Sequence, residues 1–183
     1  MTTASLRIGQ TTTNHSWTGS MGTILALFLA TCAQVAHAGG CSVSSTGLAF
    51  GPYQTLAFAG KLASADVSST ATISIRCTGI SLGGSYTLSL GPTAAGGAAI
   101  NPRRMANSNG GDPMLFNAYT DAARTTIWGD GSTGSQFAGT IAINLLGVQN
   151  FSHTVYGKIP GGQKTLKAGS FSSAPTMTLT YNP

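Results

Sequence analysis

The sequence has very little charge. Only 7% of its 183 residues are charged, and it has four acidic residues, all aspartate, against nine lysines and arginines. Paired carboxylates for glycoside hydrolysis would have to come from Asp112, Asp121 and Asp130, which adjoin Gly, Pro or Thr, where aspartate commonly forms turns. The cations are scattered, so a solvated surface is favoured over an interface with nucleic acid or an anionic membrane.

The first 38 residues are predicted to be an export signal. A short apolar core, Ile24–Leu29, precedes the small-x-small site Ala36-His37-Ala38, which predicts cleavage near Ala38. We interpret Met21 as the true start and residues 1–20 as a mis-assigned extension outside the fold. The apolar run is shorter than the ~20 residues that cross a bilayer, and a lipoprotein signal ending at Cys32 is the other alternative. Residues 39–183 are then expected to form one domain.

Few reactive side chains remain after this cleavage. Cys41 and Cys77 are predicted to form a disulfide, since exported proteins enter an oxidising compartment; two unpaired buried thiols are the alternative. His153, on a predicted strand, is the only histidine left for Ser-His-Asp catalysis. A zinc site needs three or four ligands, which this chain lacks once both cysteines are committed. The sequence therefore predicts a protein that is no enzyme and has no catalytic residues, metal or cofactor.

Alternating polar and apolar residues predict β-strands. The clearest segments are Ala71–Cys77, Tyr86–Leu90 and Met177–Tyr181, and threonine on the polar face of the last one suits an exposed sheet. Less regular candidates are 48–50, 114–119, 140–146 and 153–159. Glycine-rich turns separate these segments, and no segment has a helical repeat. The pattern favours an all-β sandwich or barrel of antiparallel sheets.

Several short motifs, in order, resemble a known family. They are Phe50-Gly51 after the first cysteine, Cys77-Thr78, Arg104-Met105, Trp128-Gly129-Asp130-Gly131, Tyr156-Gly157-Lys158-Ile159-Pro160, Ala168-Gly169-Ser170-Phe171 and a closing strand that ends at Tyr181. Each motif is weak by itself, but the order extends from Cys41 to Tyr181. The chain thus resembles the spore coat protein U domain family and, within it, subunits of archaic (Csu-type) chaperone–usher pili.

The resemblance implies a fold and a set of partners. The implied fold is an incomplete, immunoglobulin-like (pilin-type) sandwich that lacks its final strand, with Met177, Leu179 and Tyr181 lining the donor-strand groove. A periplasmic chaperone, and then a neighbouring pilus subunit at an outer-membrane usher, would supply that strand. Nucleic acid, a small-molecule substrate and a stable membrane span are not expected. The implied location is the cell surface, reached through the periplasm, with a role in adhesion or biofilm formation.

The region before Cys41 departs from polymerising pilins. Cleavage after Ala38 leaves only Gly39-Gly40, which cannot act as a donor strand. A tip or terminating position fits this departure, and the alternative is a freestanding secreted spore-coat or surface-coat protein whose sandwich closes on itself. If the protein is adhesive, apolar loop tips would serve, with Trp128, Phe137 and Phe151 as candidates, although burial in the core is the favoured fate of each.

Overall fold

The computed structural model describes residues 2–6, 9–11, 40–55, 64–95 and 97–183. The predicted signal core and cleavage site lie outside these residues. The described elements are β1 (Thr2–Leu6), β2 (Gly9–Thr11), β3 (Gly40–Ser45), β4 (Ala49–Tyr53), β5 (Val67–Ile80), β6 (Gly84–Leu90), β7 (Arg103–Asn107), β8 (Met114–Tyr119), β9 (Phe137–Ile141), β10 (Asn144–Ile159), β11 (Phe171–Ser173) and β12 (Thr176–Asn182).

The strands form two sheets. One has eight strands in the order β3-β5-β10-β8-β7-β11-β1-β4, and the other has four in the order β2-β12-β6-β9. All neighbouring strands pair antiparallel except β1 with β11 and β2 with β12, which run parallel. The described residues contain no helix. The all-β sandwich is therefore confirmed, while its immunoglobulin-like topology stays a prediction.

The period-two pattern of β5 shows why these residues form a sandwich. Ala71, Ile73 and Ile75 are buried, whereas the residues between them are exposed. Alternate side chains of a strand point to opposite faces of the sheet, so this strand covers the core with one face and meets solvent with the other. Thirteen residue pairs join it to β10, and these two long strands lie next to the edge strand β3 in the larger sheet.

The predicted disulfide is present. Cys41 in β3 lies directly opposite Cys77 in β5, and their sulfur atoms are bonded. The bond joins the edge strand β3 to its neighbour β5 in the larger sheet and closes a sequence separation of 36 residues. In the chain-entropy model, a loop of this length stabilises the fold by roughly 3 to 4 kcal/mol.

One expectation from the sequence is wrong. Residues 140–146 do not form one strand, because β9 ends at Ile141 and β10 begins at Asn144. In the full chain, β1 and β2 pair with both sheets. The start at Met21 and the cleavage near Ala38 stay predictions.

Candidate strand-acceptor groove

A single strand position separates β4 from β11 in the larger sheet. β1 occupies it: Thr2 lies opposite Tyr53 on β4, and Ala4 lies opposite Phe171 on β11. β1 runs antiparallel to β4 and parallel to β11. Without β1, the facing backbone groups of β4 and β11 would lose their partners, and this position would be open.

The same N-terminal segment continues beside β12 in the other sheet. Gly9 lies opposite Thr176 and Thr11 opposite Thr178, in the register that already joins Ala4 to Phe171. The segment therefore follows β11 and β12 from one sheet into the next. Among the described residues, β12 beyond Thr178 pairs with β6 alone. We call the position between β4 and β11, with its continuation along β12, the acceptor groove.

The walls of the acceptor groove are apolar and uncharged. With β1 and β2 in place, Tyr53 of β4, Phe171 of β11 and Met177 of β12 are each at most 1% exposed. None of the three strands contains a Lys, Arg, Asp or Glu. Such walls suit a strand that brings backbone hydrogen bonds and apolar or small side chains, and they offer nothing to a charged ligand.

The three residues predicted to line the groove take different positions along β12. Met177 is buried opposite Leu90, next to β2. Leu179 is half-buried and packs against the core. Tyr181 is also half-buried, and its hydroxyl donates a hydrogen bond to the carbonyl of Leu82. Only Met177 thus lies on the part of β12 that β2 covers, and the role of all three in receiving a donor strand stays a prediction.

The Phe50-Gly51 motif forms an irregularity in the groove wall. Ala4 lies opposite Gly51 but Ser5 lies opposite Ala49, so the register shifts at this point. Gly51 has a φ of 71°, a left-handed conformation that glycine adopts without steric cost and that is typical of β-bulges. Phe50 is buried by this arrangement.

The glycine of the Tyr156-Gly157 motif makes room for the ring of Phe50. A Cβ atom on this glycine would lie 2.6 Å from Cζ of Phe50, inside the contact distance of two carbon atoms. The ring of Phe50 therefore packs directly on the backbone of β10. The two motifs meet in space although they are more than a hundred residues apart in the chain. The contact fixes β4, one wall of the groove, against β10.

A buried arginine joins the two sheets, and reasoning from the sequence missed its importance. Arg103 is 0% exposed, and its guanidinium donates hydrogen bonds to the carbonyls of Gly91, Leu90 and Trp128 and to Oδ1 of Asn117, at 2.6 to 3.0 Å. Burial lowers the pKa of Arg103 to about 10, and the charge of Asp130 opposes this change. Two sequence signals could have drawn attention to Arg103. It belongs to an arginine doublet at 103–104, and residues 77–102 before it carry no charge.

The Trp-Gly-Asp-Gly motif builds a turn next to this arginine. Trp128 is fully buried, and its indole nitrogen donates to the carbonyl of Leu88 at 3.0 Å. Asp130 is exposed and accepts hydrogen bonds from the backbone N–H groups of Thr133 and Ser132, which lower the pKa of its carboxyl. Trp128 is thus a core residue and Asp130 a turn former. The motif has a structural explanation.

The remaining motif residues support the same framework. Met105 and Ile159 are fully buried, and the carbonyl of Pro160 accepts a hydrogen bond from the hydroxyl of Tyr53 at 3.0 Å. Gly169 leaves room for the side chain of Asn107, since a Cβ there would lie 2.1 Å from its Oδ1. The other motif residues, Arg104, Gly129, Gly131 and Tyr156, lie in β7, in the Trp-Gly-Asp-Gly turn and in β10.

His153 lies among aromatic side chains. Its Nε2 is 2.8 Å from the hydroxyl of Tyr86, and its ring stacks on Phe137 with centroids 4.5 Å apart. Burial lowers the pKa of His153. Among the described residues, the partners given for the imidazole are aromatic side chains, and none is the carboxylate that Ser-His-Asp catalysis uses. Phe137 and Phe151, expected to be either core or loop-tip residues, are partly buried against the core.

The described residues contain no group of three His, Cys, Asp or Glu side chains placed to hold a metal ion. Asp121, a second candidate carboxylate, is a turn former like Asp130: it accepts hydrogen bonds from the backbone of Thr126 and Thr125, which lower its pKa. Over the same described ranges, no helix has the length and apolarity that crossing a bilayer requires.

Comparison with known proteins gives the chain its family. The model of the spore coat protein U domain matches residues 25–178. The match includes every strand from β3 to β11 and the first three residues of β12, and it includes neither β1 nor β2. Protein U of Myxococcus xanthus is 32% identical over 150 residues, which are 78% of this chain and 78% of that protein. The family suggests a surface protein of the pilus or coat type. The chain belongs to the spore coat protein U domain family.

Proposed function

We propose that this chain is a secreted structural subunit of a surface pilus or fibre that is assembled by accepting a strand from another polypeptide. The acceptor groove carries the proposal. It is one strand wide, uncharged and bordered by β4, β11 and β12, and the segment that fills it lies upstream of the predicted cleavage near Ala38. Removal of residues 1–38 would open the groove in the mature domain.

An open groove would leave the domain marginally stable. A donor strand that seats four or five apolar side chains at ~1.5 to 3 kcal/mol each would add on the order of 6 to 15 kcal/mol of gross burial. The whole free energy of unfolding of a domain is about 5 to 15 kcal/mol. The unpaired backbone of β4 and β11 would also promote aggregation unless another strand covers it. Strand addition is then the principal biochemical act of the mature subunit.

The proposal includes specific partners. A periplasmic chaperone would cover the groove first, and a neighbouring pilus subunit would replace it at an outer-membrane usher. The residues before Cys41 offer no donor strand after cleavage, which favours a tip or terminating position and a role in adhesion or biofilm formation. The subunit would act without enzymatic activity, at the cell surface, after export through the periplasm.

One observation favours a second candidate. In the full chain, β1 and β2 fill the groove from within the same polypeptide. If residues 2–11 remain attached, the protein is a freestanding coat component with a self-closed sandwich. The similarity to Protein U of Myxococcus xanthus is compatible with both candidates.

Expression of the full chain with export to a bacterial periplasm tests the two candidates. Mass spectrometry of the purified protein gives its N-terminal residue, and hydrogen exchange measures the protection of β11 and β12. We expect cleavage near Ala38, rapid exchange in β11 and β12, and slow exchange once a peptide of residues 2–11 is added. A processed monomer that unfolds cooperatively and protects these strands without any peptide would refute strand acceptance.

A further inference from the structure

A cleft of about 500 Å³ lies where the connection between β10 and β11 crosses the β7–β8 hairpin. This volume is within the range of about 300 to 1,000 Å³ that small-molecule sites occupy. Arg104, Asp112 and Lys164 are its charged lining residues, and Pro113 and Leu115 are apolar ones. We call it the hairpin cleft. None of the described lining residues belongs to β4, β11 or β12, so the hairpin cleft is separate from the acceptor groove.

Strand pairing places Arg104 at this cleft. Arg104 lies directly opposite Leu115, and its neighbours Arg103 and Met105 are both fully buried. Because alternate side chains of a strand point to opposite faces of the sheet, Arg104 points away from the core. The Arg104-Met105 motif therefore sends its methionine into the core and its arginine into the hairpin cleft. The fold alone accounts for the methionine but not for the arginine.

The wall that the β10–β11 connection contributes is held by Gln163. Its Oε1 accepts a hydrogen bond from the backbone N–H of Leu115 at 2.7 Å. Its Nε2 donates to the carbonyls of Leu115 and Pro160, both at 3.0 Å. The next residue, Lys164, is exposed and follows this fixed point directly. A ligand would thus meet a wall whose backbone is already ordered, which lowers the entropic cost of binding.

The hairpin cleft has an excess of positive charge. A Cβ on Gly111 would lie 3.1 Å from Cδ of Lys167, so the side chain of Lys167 packs on the hairpin turn beside Asp112. Neither Lys164 nor Asp112 takes part in an ion pair within the described part of the chain. Three cations, Arg104, Lys164 and Lys167, therefore surround a single carboxylate. Such a site attracts a group that carries one negative charge.

The other lining residues narrow the chemistry of the ligand. A guanidinium and an ammonium suit a carboxylate, whereas Asp112 would repel the second charge of a phosphate. The carboxylate of Asp112 accepts hydrogen bonds, which suits a ligand with hydroxyl groups. Pro113 and Leu115 are half-buried and offer apolar contact to the C–H face of a sugar ring. The described lining has no aromatic side chain on which a neutral sugar could stack. A sugar with a carboxylate fits all of these groups.

We propose that the hairpin cleft binds the uronic-acid units of an acidic polysaccharide. Arg104 and Lys164 hold the carboxylate, Asp112 accepts hydrogen bonds from the sugar hydroxyls, and Pro113 and Leu115 contact the ring. This site goes beyond strand acceptance and does not rest on it, because the groove and the cleft are built from different strands and connections.

Isothermal titration calorimetry of the folded full chain tests the proposal. The probe is a trimer of galacturonic acid, and the same trimer with methyl-esterified carboxyls is the uncharged reference. The test variants are Lys164→Gln, Arg104→Gln and Asp112→Ala. The matched control is Arg76→Gln, which removes one exposed cation from β5 that does not line the cleft. Urea unfolding shows whether each variant is folded.

We expect the galacturonate trimer to bind the wild type and Arg76→Gln alike, more weakly in high salt, and the ester to bind about tenfold more weakly. Lys164→Gln and Arg104→Gln should each lower the affinity by about fivefold to tenfold, because each removes a charge-assisted hydrogen bond. Asp112→Ala should lower the affinity for the trimer by about twofold through its lost hydroxyl contacts. The same variant should bind inorganic phosphate more tightly than the wild type, since it no longer repels the anion.

Four outcomes would overturn the proposal. The first is equal affinity for the acid and the ester. The second is a Lys164→Gln variant that binds the trimer like the wild type, and this exposed substitution decides alone if Arg104→Gln does not fold. The third is tighter binding of inorganic phosphate than of the trimer, which would mean an adventitious ion only. The fourth is tighter binding of a glutamate tripeptide, which would assign the cleft to acidic peptides. None of these outcomes bears on the acceptor groove, so each proposal can fail alone.

Discussion

The buried guanidinium of Arg103 allows the sharpest test of how this sandwich is held together. Its four hydrogen bonds connect β7 to the end of β6, to β8 and to the turn that contains Trp128. The substitution Arg103→Met keeps much of the side-chain volume and removes every donor. Three carbonyls would then lose the bond from Arg103, while Oδ1 of Asn117 would keep the hydrogen bond from the backbone N–H of Ala118.

The expected magnitude follows from two opposing effects. Each buried acceptor left without a partner costs about 1 to 3 kcal/mol, which sums over the three carbonyls to a gross loss on the order of 3 to 9 kcal/mol. Removal of the charge also relieves its desolvation, which the fall in pKa from 12.5 to about 10 puts at roughly 3 kcal/mol. We expect Arg103→Met to lower the free energy of unfolding by about 3 to 5 kcal/mol.

Urea unfolding of the full chain, with the disulfide intact, measures this change. Arg103→Lys keeps the charge but has a compact head with three donors, so it should lose about half as much. Arg76→Met is the matched control, since Arg76 is exposed on β5, and it should change the free energy of unfolding by less than about 0.5 kcal/mol. A loss below about 1 kcal/mol for Arg103→Met would show that the hydrogen-bonded cation does not stabilise the contact between the sheets.

Three further predictions address other parts of the fold. The pKa of His153 is lowered by burial, so the unfolded chain binds its proton more tightly and stability should fall as the pH drops below about 6.5. Urea titrations at several pH values should show this slope, and His153→Gln should remove it. An unchanged slope in the variant would contradict the assignment. Replacing both Cys41 and Cys77 by Ser should cost roughly 3 to 4 kcal/mol in the same assay, and no loss would mean that the loop is closed without the bond. Gly157→Ala should cost about 1 to 3 kcal/mol through its clash with the ring of Phe50; adding Phe50→Leu should recover part of the loss, and strictly additive losses would count against the contact.

Local patterns predicted the long strands well. In β12 and in residues 70–77 of β5, polar and apolar residues alternate, and the burial of their side chains follows that alternation over most of these segments. β3, β7 and β11 were missed because short strands of Gly, Ser and Arg have no such pattern. The turn at Ala142 was missed because Ile141 and Ile143 continue an apolar run in which one is buried and the other exposed.

The candidate site could be predicted only in part. The strand that contains Met177 was predicted because apolar residues alternate with threonine there. The facing walls of the groove, β4 and β11, are far apart in the chain and meet only through strand pairing. Arg103 was expected at the surface, as charged residues usually are, because no local feature indicates that three carbonyls will converge on it. The exposure of Leu145 and Leu146 was missed for a similar reason, since both look like core residues in the sequence.

The sequence by itself determined the all-β class, the cysteine pair, the family and the near absence of charge, because each of these depends on residue identity or on neighbours two positions apart. Only the tertiary structure decided which strands border the groove, that residues 2–11 fill it, and which apolar side chains stay outside the core. These features depend on the order of strands in the sheets, which joins segments distant in the chain and is set by the packing of the whole domain.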